Sequence, residues 1–229
     1  MSFIQLEGVS KIYNPGQVDE ITAVNHASLA VEQGSVVALT GPSGSGKTTL
    51  LSLVGCMARP TEGKIQVGFK DVVKLPERFL TEVRRNTFGF IFQQFHLIRE
   101  LTVLNNVLLP LFPLNTPMHT MKQKAFVILN QFNIEQKANV KVKALSGGEQ
   151  QRVAIARAMI HSPEVIIADE PTAHLDRKLA REFMDILAML QGEGKTVVIA
   201  THDPFIYENG LVDTIISMED GSILRITDR

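Results

Sequence analysis

The sequence predicts an α/β fold on a mostly parallel sheet, and three observations carry that prediction. Short β-branched runs recur with turn residues between them: VVALT at 36–40, VIIA at 165–168, TVVIA at 196–200 and TIIS at 214–217. They are continuously apolar rather than alternating, the habit of strands buried on both faces under covering helices. Between about 95 and 160 the texture changes to helical spacing, with no strand run comparable to the others. A helical subdomain is therefore expected within the sheet domain.

Composition sets the outer limits. With 229 residues the chain can fill one substantial α/β domain with a small appendage, and two large domains are not expected. Hydrophobic residues make up 45% and charged residues 21%, as in ordinary globular chains, which gives no support to disorder or fibrous architecture. The 23 Lys and Arg against 24 Asp and Glu leave a net charge of -1, without the basic excess that binding a phosphate backbone requires. Nucleic acid is not an expected partner. The single Cys56 cannot form an internal disulfide and reads as a small hydrophobe in the helix after a glycine-rich loop, which fits a reducing, cytosolic compartment.

Taken in order, MSFIQLEGVS at the start reads as a strand carrying Phe3, Ile4, Leu6 and Val9, without the basic flank and apolar block of a secretion signal. The apolar stretch VLLPLF at 107–112 is short and broken by Pro110, and no run approaches the ~18 to 20 residues that cross a bilayer. If the chain serves a membrane, it is expected to act from the surface. Pro110, Pro113 and Pro117 predict an extended or looped segment over 109–118. Beyond it Met121, Ala125, Ile128, Leu129 and Phe132 form one apolar helical stripe. The final ISMEDGSILRI has the form of a hairpin.

The chemistry concentrates at three places. GPSGSGKTT at 41–49 satisfies G-x-x-x-x-G-K-[ST] between a strand and a helix-like TTLLSLVG, the setting this phosphate-binding loop needs. Gly41, Gly44 and Gly46 let the backbone turn so that the loop's N–H groups face one concavity at a helix N-terminus, and Pro42, Ser43 and Ser45 complete the nucleotide-binding loop. Lys47 would reach the β- and γ-phosphates, the Thr48 hydroxyl would bind Mg²⁺, and Thr49 would lie near the α-phosphate. VIIADE at 165–170 ends an apolar strand in two carboxylates, and ligands of parallel sheets collect at strand carboxyl ends. Asp169 is then placed to hold Mg²⁺ and Glu170 to orient or deprotonate the attacking water. These two motifs point to a Mg-dependent P-loop nucleoside triphosphatase.

ALSGGEQQRVAIARAM at 144–159 resembles the signature sequence of ABC ATPases and lies shortly before the carboxylate strand, as in that family. Its residues suit a second phosphate-binding helix start: Ser146 offers a hydroxyl, Gly147 and Gly148 open the backbone, and a helix is expected to begin near Glu149. The resemblance covers nearly the whole chain, from Tyr13 to the final hairpin, and implies an ABC ATPase fold with an N-terminal antiparallel β portion. It further implies a nucleotide-binding core at 1–94 and 161–229 and a helical subdomain at 95–160.

The resemblance assigns further roles. Tyr13 is similar to the aromatic residue that stacks on adenine. Gln93, in FGFIFQQF, is similar to the glutamine that senses Mg²⁺ and water and links to the membrane partner, with Gln94 as the alternative. Asp176, in AHLD, resembles the D-loop aspartate at the dimer interface. His202, in VVIATHD, resembles the switch histidine that contacts the γ-phosphate and fixes the water together with Glu170. The signature of one subunit is expected to close over ATP held by another in a head-to-tail homodimer or heterodimer. The partners implied are separate transmembrane permease subunits, served from the cytoplasmic face of the inner membrane, with Phe95, His96 and Leu97 as candidates for the groove receiving them.

FGFIFQQFHLIRELTVLNNVLLPL is similar to the lipoprotein-releasing and macrolide-exporting class. Ala173 and His174 depart from the glycine and the small or polar residue frequent there, and Asn105 stands where that class often has glutamate. Alternatives are a mechanical regulator of a membrane complex, of the cell-division type, and a soluble ABC protein of translation or DNA repair. The single compact cassette and the lack of basic excess count against the latter. A small-molecule P-loop kinase has no use for LSGGEQ.

Overall fold

The computed structural model describes residues 2–173 and 176–229. Two long strands, β1 (Ser2–Tyr13) and β2 (Ile21–Glu32), form an antiparallel pair. β3 (Val36–Thr40) follows and leads through residues 41–46 into α1 (Lys47–Val54). β4 (Glu62–Val67) and β5 (Lys70–Asp71) complete an antiparallel sheet of order β2-β1-β4-β5. Ile4, Leu6 and Val9 of β1 are buried, Val9 joining the core of the other two past a register shift between Leu6 and Val9, and Phe3 packs at the edge of the same core.

After α2 (Glu77–Thr87), β6 (Phe88–Ile91) enters the second sheet, and the chain is then helical. α3 (Val103–Leu108), α4 (Met118–Gln131) and α5 (Gly147–Met159) precede β7 (Val165–Asp169). The remaining elements are α6 (Arg177–Gly192), β8 (Thr196–Ala200), the short α7 (Pro204–Tyr207), β9 (Thr214–Glu219) and β10 (Ser222–Asp228). The sheet order is β10-β9-β3-β8-β7-β6, with only β10 antiparallel to its neighbour.

The continuous apolar runs are explained by this sheet having a core on each face. Val36, Ala38, Ile166, Ala168, Val197 and Ile199 pack with the helices α3 to α6. Their alternating neighbours Val37, Leu39, Val165, Ile167, Val198 and Ala200 pack with α1 and the antiparallel sheet. A period of two along each strand thus loads both faces with apolar residues. On α4 the expected stripe is buried at Met121, Ala125 and Leu129, with Phe132 buried just past its end and Ile128 packed at the margin.

Three expectations need correction. Residues 109–118 are not extended: a 3-10 helix spans Leu109–Leu114 with Pro113 inside it. Pro110 stands at its start, where a missing N–H costs nothing, and only the turn at Asn115 (φ 42) to Pro117 separates it from α4. Cys56 is not helical, because α1 stops at Val54 and Cys56 takes φ 57 in the turn beyond. Burial pushes its thiol up to about 12, against the opposing charge of Arg84. The helix after the signature glycines starts at Gly147 rather than near Glu149, since Ser146 is its N-cap.

Candidate phosphate-binding and hydrolysis site

The parallel arrangement brings four strand ends to one edge. β3 delivers the loop 41–46, β6 delivers Gln93, β7 ends in Asp169 with Glu170 just beyond, and β8 is followed by His202. A cavity of about 750 Å³ lies there, lined by Pro42, Ser43, Gly44, Gly46, Lys47, Thr48, Thr49, Gln93, Glu170 and His202. Gln93, not its neighbour Gln94, borders it. Residues far apart in sequence are adjacent here because parallel strands point the same way.

The loop's glycines are enforced by backbone geometry. Gly46 has φ 96, and a Cβ there would stand 2.3 Å from the Ala23 carbonyl oxygen. Gly41 has φ 141, and its Cβ would stand 2.1 Å from the Met218 carbonyl oxygen. No side chain caps the N-terminus of α1, and its first residues Lys47, Thr48 and Thr49 line the cavity, which leaves a helix start suited to an anion there. The buried Lys47 ammonium donates to the carbonyls of Gly41 and Pro42 at 2.8 Å each, which uses two of its three donors.

Beneath the cradle, the Thr48 hydroxyl donates to Asp169 Oδ1 at 3.1 Å. The Asp169 carboxyl is held above its ordinary value, first by burial and then by the Glu170 charge, while the Thr48 hydrogen bond and Lys47 pull the other way. Glu170 Oε1 accepts from the His202 ring Nδ1–H at 3.0 Å, with the Glu170 side chain mostly buried and the His202 ring mostly exposed. A desolvated carboxylate and a hydroxyl are hard oxygen donors, the kind that would suit Mg²⁺. A cation there would also relieve the cost of keeping Asp169 ionised in a partly dry setting.

Two elements of the wall carry no motif. Ile21, Thr22 and Ala23 of β2, with Asp220 and Gly221 of the β9–β10 turn, border the cavity. The Asn25 N–H donates to the Gly221 carbonyl at 2.8 Å and the Gly221 N–H to the Ser45 carbonyl at 3.2 Å, which ties the antiparallel sheet to the phosphate loop through the hairpin. The Asp-Gly turn is a hairpin signal in the sequence, but nothing local announces that it packs on the loop. Tyr13 pairs with Ile21 across β1 and β2, so it stands at the rim beyond the cavity lining; it is half-exposed, with Lys11 Nζ 5.1 Å from its ring centre.

The signature residues stand apart. Ser146, Gly147 and Gly148 are not in the cavity lining, and Ser146 is engaged in a capping box with Glu149. Its Oγ accepts from the Glu149 N–H at 3.4 Å, and Glu149 Oε2 accepts from the Ser146 N–H at 2.9 Å. Asp176 likewise caps α6, accepting from the Leu179 N–H at 2.9 Å, and does not line the cavity either. Ala173 is described, but the departure at His174 falls outside the described residues.

A second cavity of about 410 Å³ runs beside Phe90, Phe92, His96, Arg157 and His161. Arg157, on α5, donates to the carbonyls of His96 at 2.6 Å and Phe95 at 2.7 Å, both residues having positive φ (45 and 57). Of the three groove candidates, His96 lines this cavity, while Phe95 is half-buried and Leu97 packs against the helical core.

Comparison with known proteins gives a consistent family. A model described as ABC transporter matches residues 24–173. An ABC transporter ATP-binding protein of Methanocaldococcus jannaschii, MJ0796, is 42% identical over 227 residues, covering 97% of this chain and 95% of its own length. The uncharacterized ABC transporter ATP-binding protein YvrO of Bacillus subtilis is 38% identical over 221 residues, covering 96% and 95%. The macrolide export ATP-binding/permease protein MacB of Pectobacterium atrosepticum is 39% identical over 223 residues; the match covers 97% of this chain but only 34% of that longer protein. Among solved structures, the dimeric post-hydrolysis state of the MJ0796 cassette bound to ADP and Pi superposes with a TM-score of 0.89 at 40% identity, covering 98% of both chains.

Proposed function

This chain belongs to the ABC transporter family as an ATP-binding and ATP-hydrolysing cassette, and on that premise we propose how its residues divide the work. The loop 41–46 with Lys47 binds the ATP phosphates, and Thr49 supports the α-phosphate. Thr48, Asp169 and Gln93 hold Mg²⁺, which when bound draws charge from the phosphate oxygens. Glu170 is the general base for the attacking water, and His202 fixes its carboxylate and contacts the γ-phosphate. The single observation carrying this reading is the Glu170–His202 hydrogen bond of 3.0 Å across the cavity from the phosphate loop. Tyr13 stacks on adenine at the cavity rim.

The signature of one chain closes over ATP held by a second chain, in a head-to-tail dimer with Asp176 at the joint. In support, Ser146, Gly147 and Gly148 lie off their own chain's cavity, and the M. jannaschii relative forms a dimer. Closure and opening drive separate transmembrane subunits from the cytoplasmic face of the membrane; no described helix is long and apolar enough to cross it. The helical region 95–160 acts as the subdomain that moves. The groove beside His96 receives the membrane partner: it is aromatic-walled, and two buried atoms bordering it, Arg85 Nε and His161 Nδ1, have no partner within the described residues. An export role rests on the match to MacB, of whose length this chain spans 34%; a lipoprotein-release role rests on the resemblance of residues 88–111 alone.

Glu170→Gln tests the mechanism. Phosphate release is expected to fall roughly 10² to 10⁴-fold while an ATP-bound dimer accumulates on sizing chromatography. Native-like hydrolysis by that variant overturns Glu170 as the base.

A further inference from the structure

We infer that Gln151 is a positioning residue for Glu170, holding the hydrolytic carboxylate in place from the signature helix of the same chain. The inference rests on the reading of Glu170 as the general base.

Glu170 takes φ 44, a left-handed conformation that disfavours any side chain. It also precedes Pro171, whose ring pushes the preceding residue toward extended backbone. Two local tendencies therefore pull Glu170 away from the conformation that aims its carboxylate at His202, and the surroundings must hold it. The Glu170 N–H donates to the Ala200 carbonyl at 2.9 Å, and its own carbonyl accepts from the Ala173 N–H at 3.2 Å. The third hold comes from outside the strand: Gln151 Nε2 donates to the Pro171 carbonyl at 2.9 Å.

Gln151 is only 3% exposed, so its amide has little water to fall back on and removing it leaves the Pro171 oxygen short of a partner. Its helix is braced against the segment after Glu170. Arg152 Nη2 and Glu182 Oε2 stand 2.7 Å apart, and a Cβ on Gly148 would meet Leu179 Cδ2 at 2.4 Å. The signature helix that serves a neighbouring site is thus joined by one buried hydrogen bond to the base of its own site.

The test is Gln151→Met, which keeps volume and removes the donor, measured alone and combined with Glu170→Gln. The expected result is a kcat roughly 10- to 100-fold lower with the Kd for ATP close to native, in a variant whose unfolding midpoint is lowered but which is fully folded at the assay temperature. In the Glu170→Gln background the same substitution is expected to cost nothing further, because its effect runs through the lost carboxylate. A native kcat, an equal loss in both backgrounds, or a parallel loss of ATP affinity overturns the inference. Should Gln151→Met not fold, Gln151→Asn, with the amide on a shorter stem, is read by the same criteria. Failure of the base reading is separate, since Glu170→Gln alone would then hydrolyse ATP like the native chain.

Discussion

The loop at 41–46 before α1 and the segment at 145–148 that opens α5 are both glycine-containing helix starts, but only the second caps itself. α1 begins behind Gly46 with no side-chain cap and a lysine folded over the loop carbonyls. α5 begins behind Ser146, whose hydroxyl and Glu149 partner satisfy N-terminal donors reciprocally. The first start is shaped for a ligand within the chain, since its donors need an acceptor that no side chain supplies. The second is stable as it stands, and Gly147 presents its backbone outward to whatever approaches, while Gly148 is buried against Leu179. A Cβ added at Gly147 would meet nothing within 4 Å, whereas Gly46 is wedged against Ala23.

That contrast can be broken experimentally, beginning with the largest effect. Gly46→Ala forces a Cβ against the Ala23 carbonyl in a backbone conformation that alanine disfavours. With about 3 kcal/mol of strain, ATP affinity of the isolated chain should fall roughly 100-fold or more by equilibrium titration. Gly147→Asp has room, so ATP binding by the isolated chain should stay native. Its carboxylate would face the phosphates of the other chain, and hydrolysis should fall at least about tenfold. Equal effects of the two substitutions on single-chain binding would erase the contrast.

Ser146→Ala should cost about 1 kcal/mol in denaturant unfolding and leave single-chain ATP binding intact. Acid should weaken the same cap. Glu149 is held below its ordinary value chiefly by the Ser146 backbone N–H, so its contribution is present above the unfolded carboxylate range and is lost as pH falls through the folded value. An unfolding free energy that does not change for Ser146→Ala would mean that the cap contributes nothing.

Sequence legibility followed the same division between local and long-range causes. That the phosphate loop, Asp169 and Glu170 meet at one edge was legible because each motif closes or follows a β-branched strand and parallel strands gather their ends there, while His202 was picked out by the family resemblance. The two-faced cores were visible in the unbroken apolar runs at 36–40 and 196–200. The wall made by Ile21 to Ala23 and the Asp220-Gly221 turn was not legible, because it depends on bonds from Asn25 to Gly221 and from Gly221 to Ser45 that no local spacing encodes. Pro113 argued against helix, but a short 3-10 turn tolerates it. Gln151 carries no local mark of its own, because its partner is a carbonyl 20 residues away.

On the proposed reading, a complete hydrolytic site needs the phosphate loop of one chain and the signature of another. Lys47→Ala and Gly147→Asp each spoil one half of that site, so each variant alone should hydrolyse ATP poorly. Mixed together, they can form dimers in which an intact loop faces an intact signature. Phosphate release by the mixture above that of either variant alone is the expected result; a mixture no faster than the average of its two components would contradict the shared site.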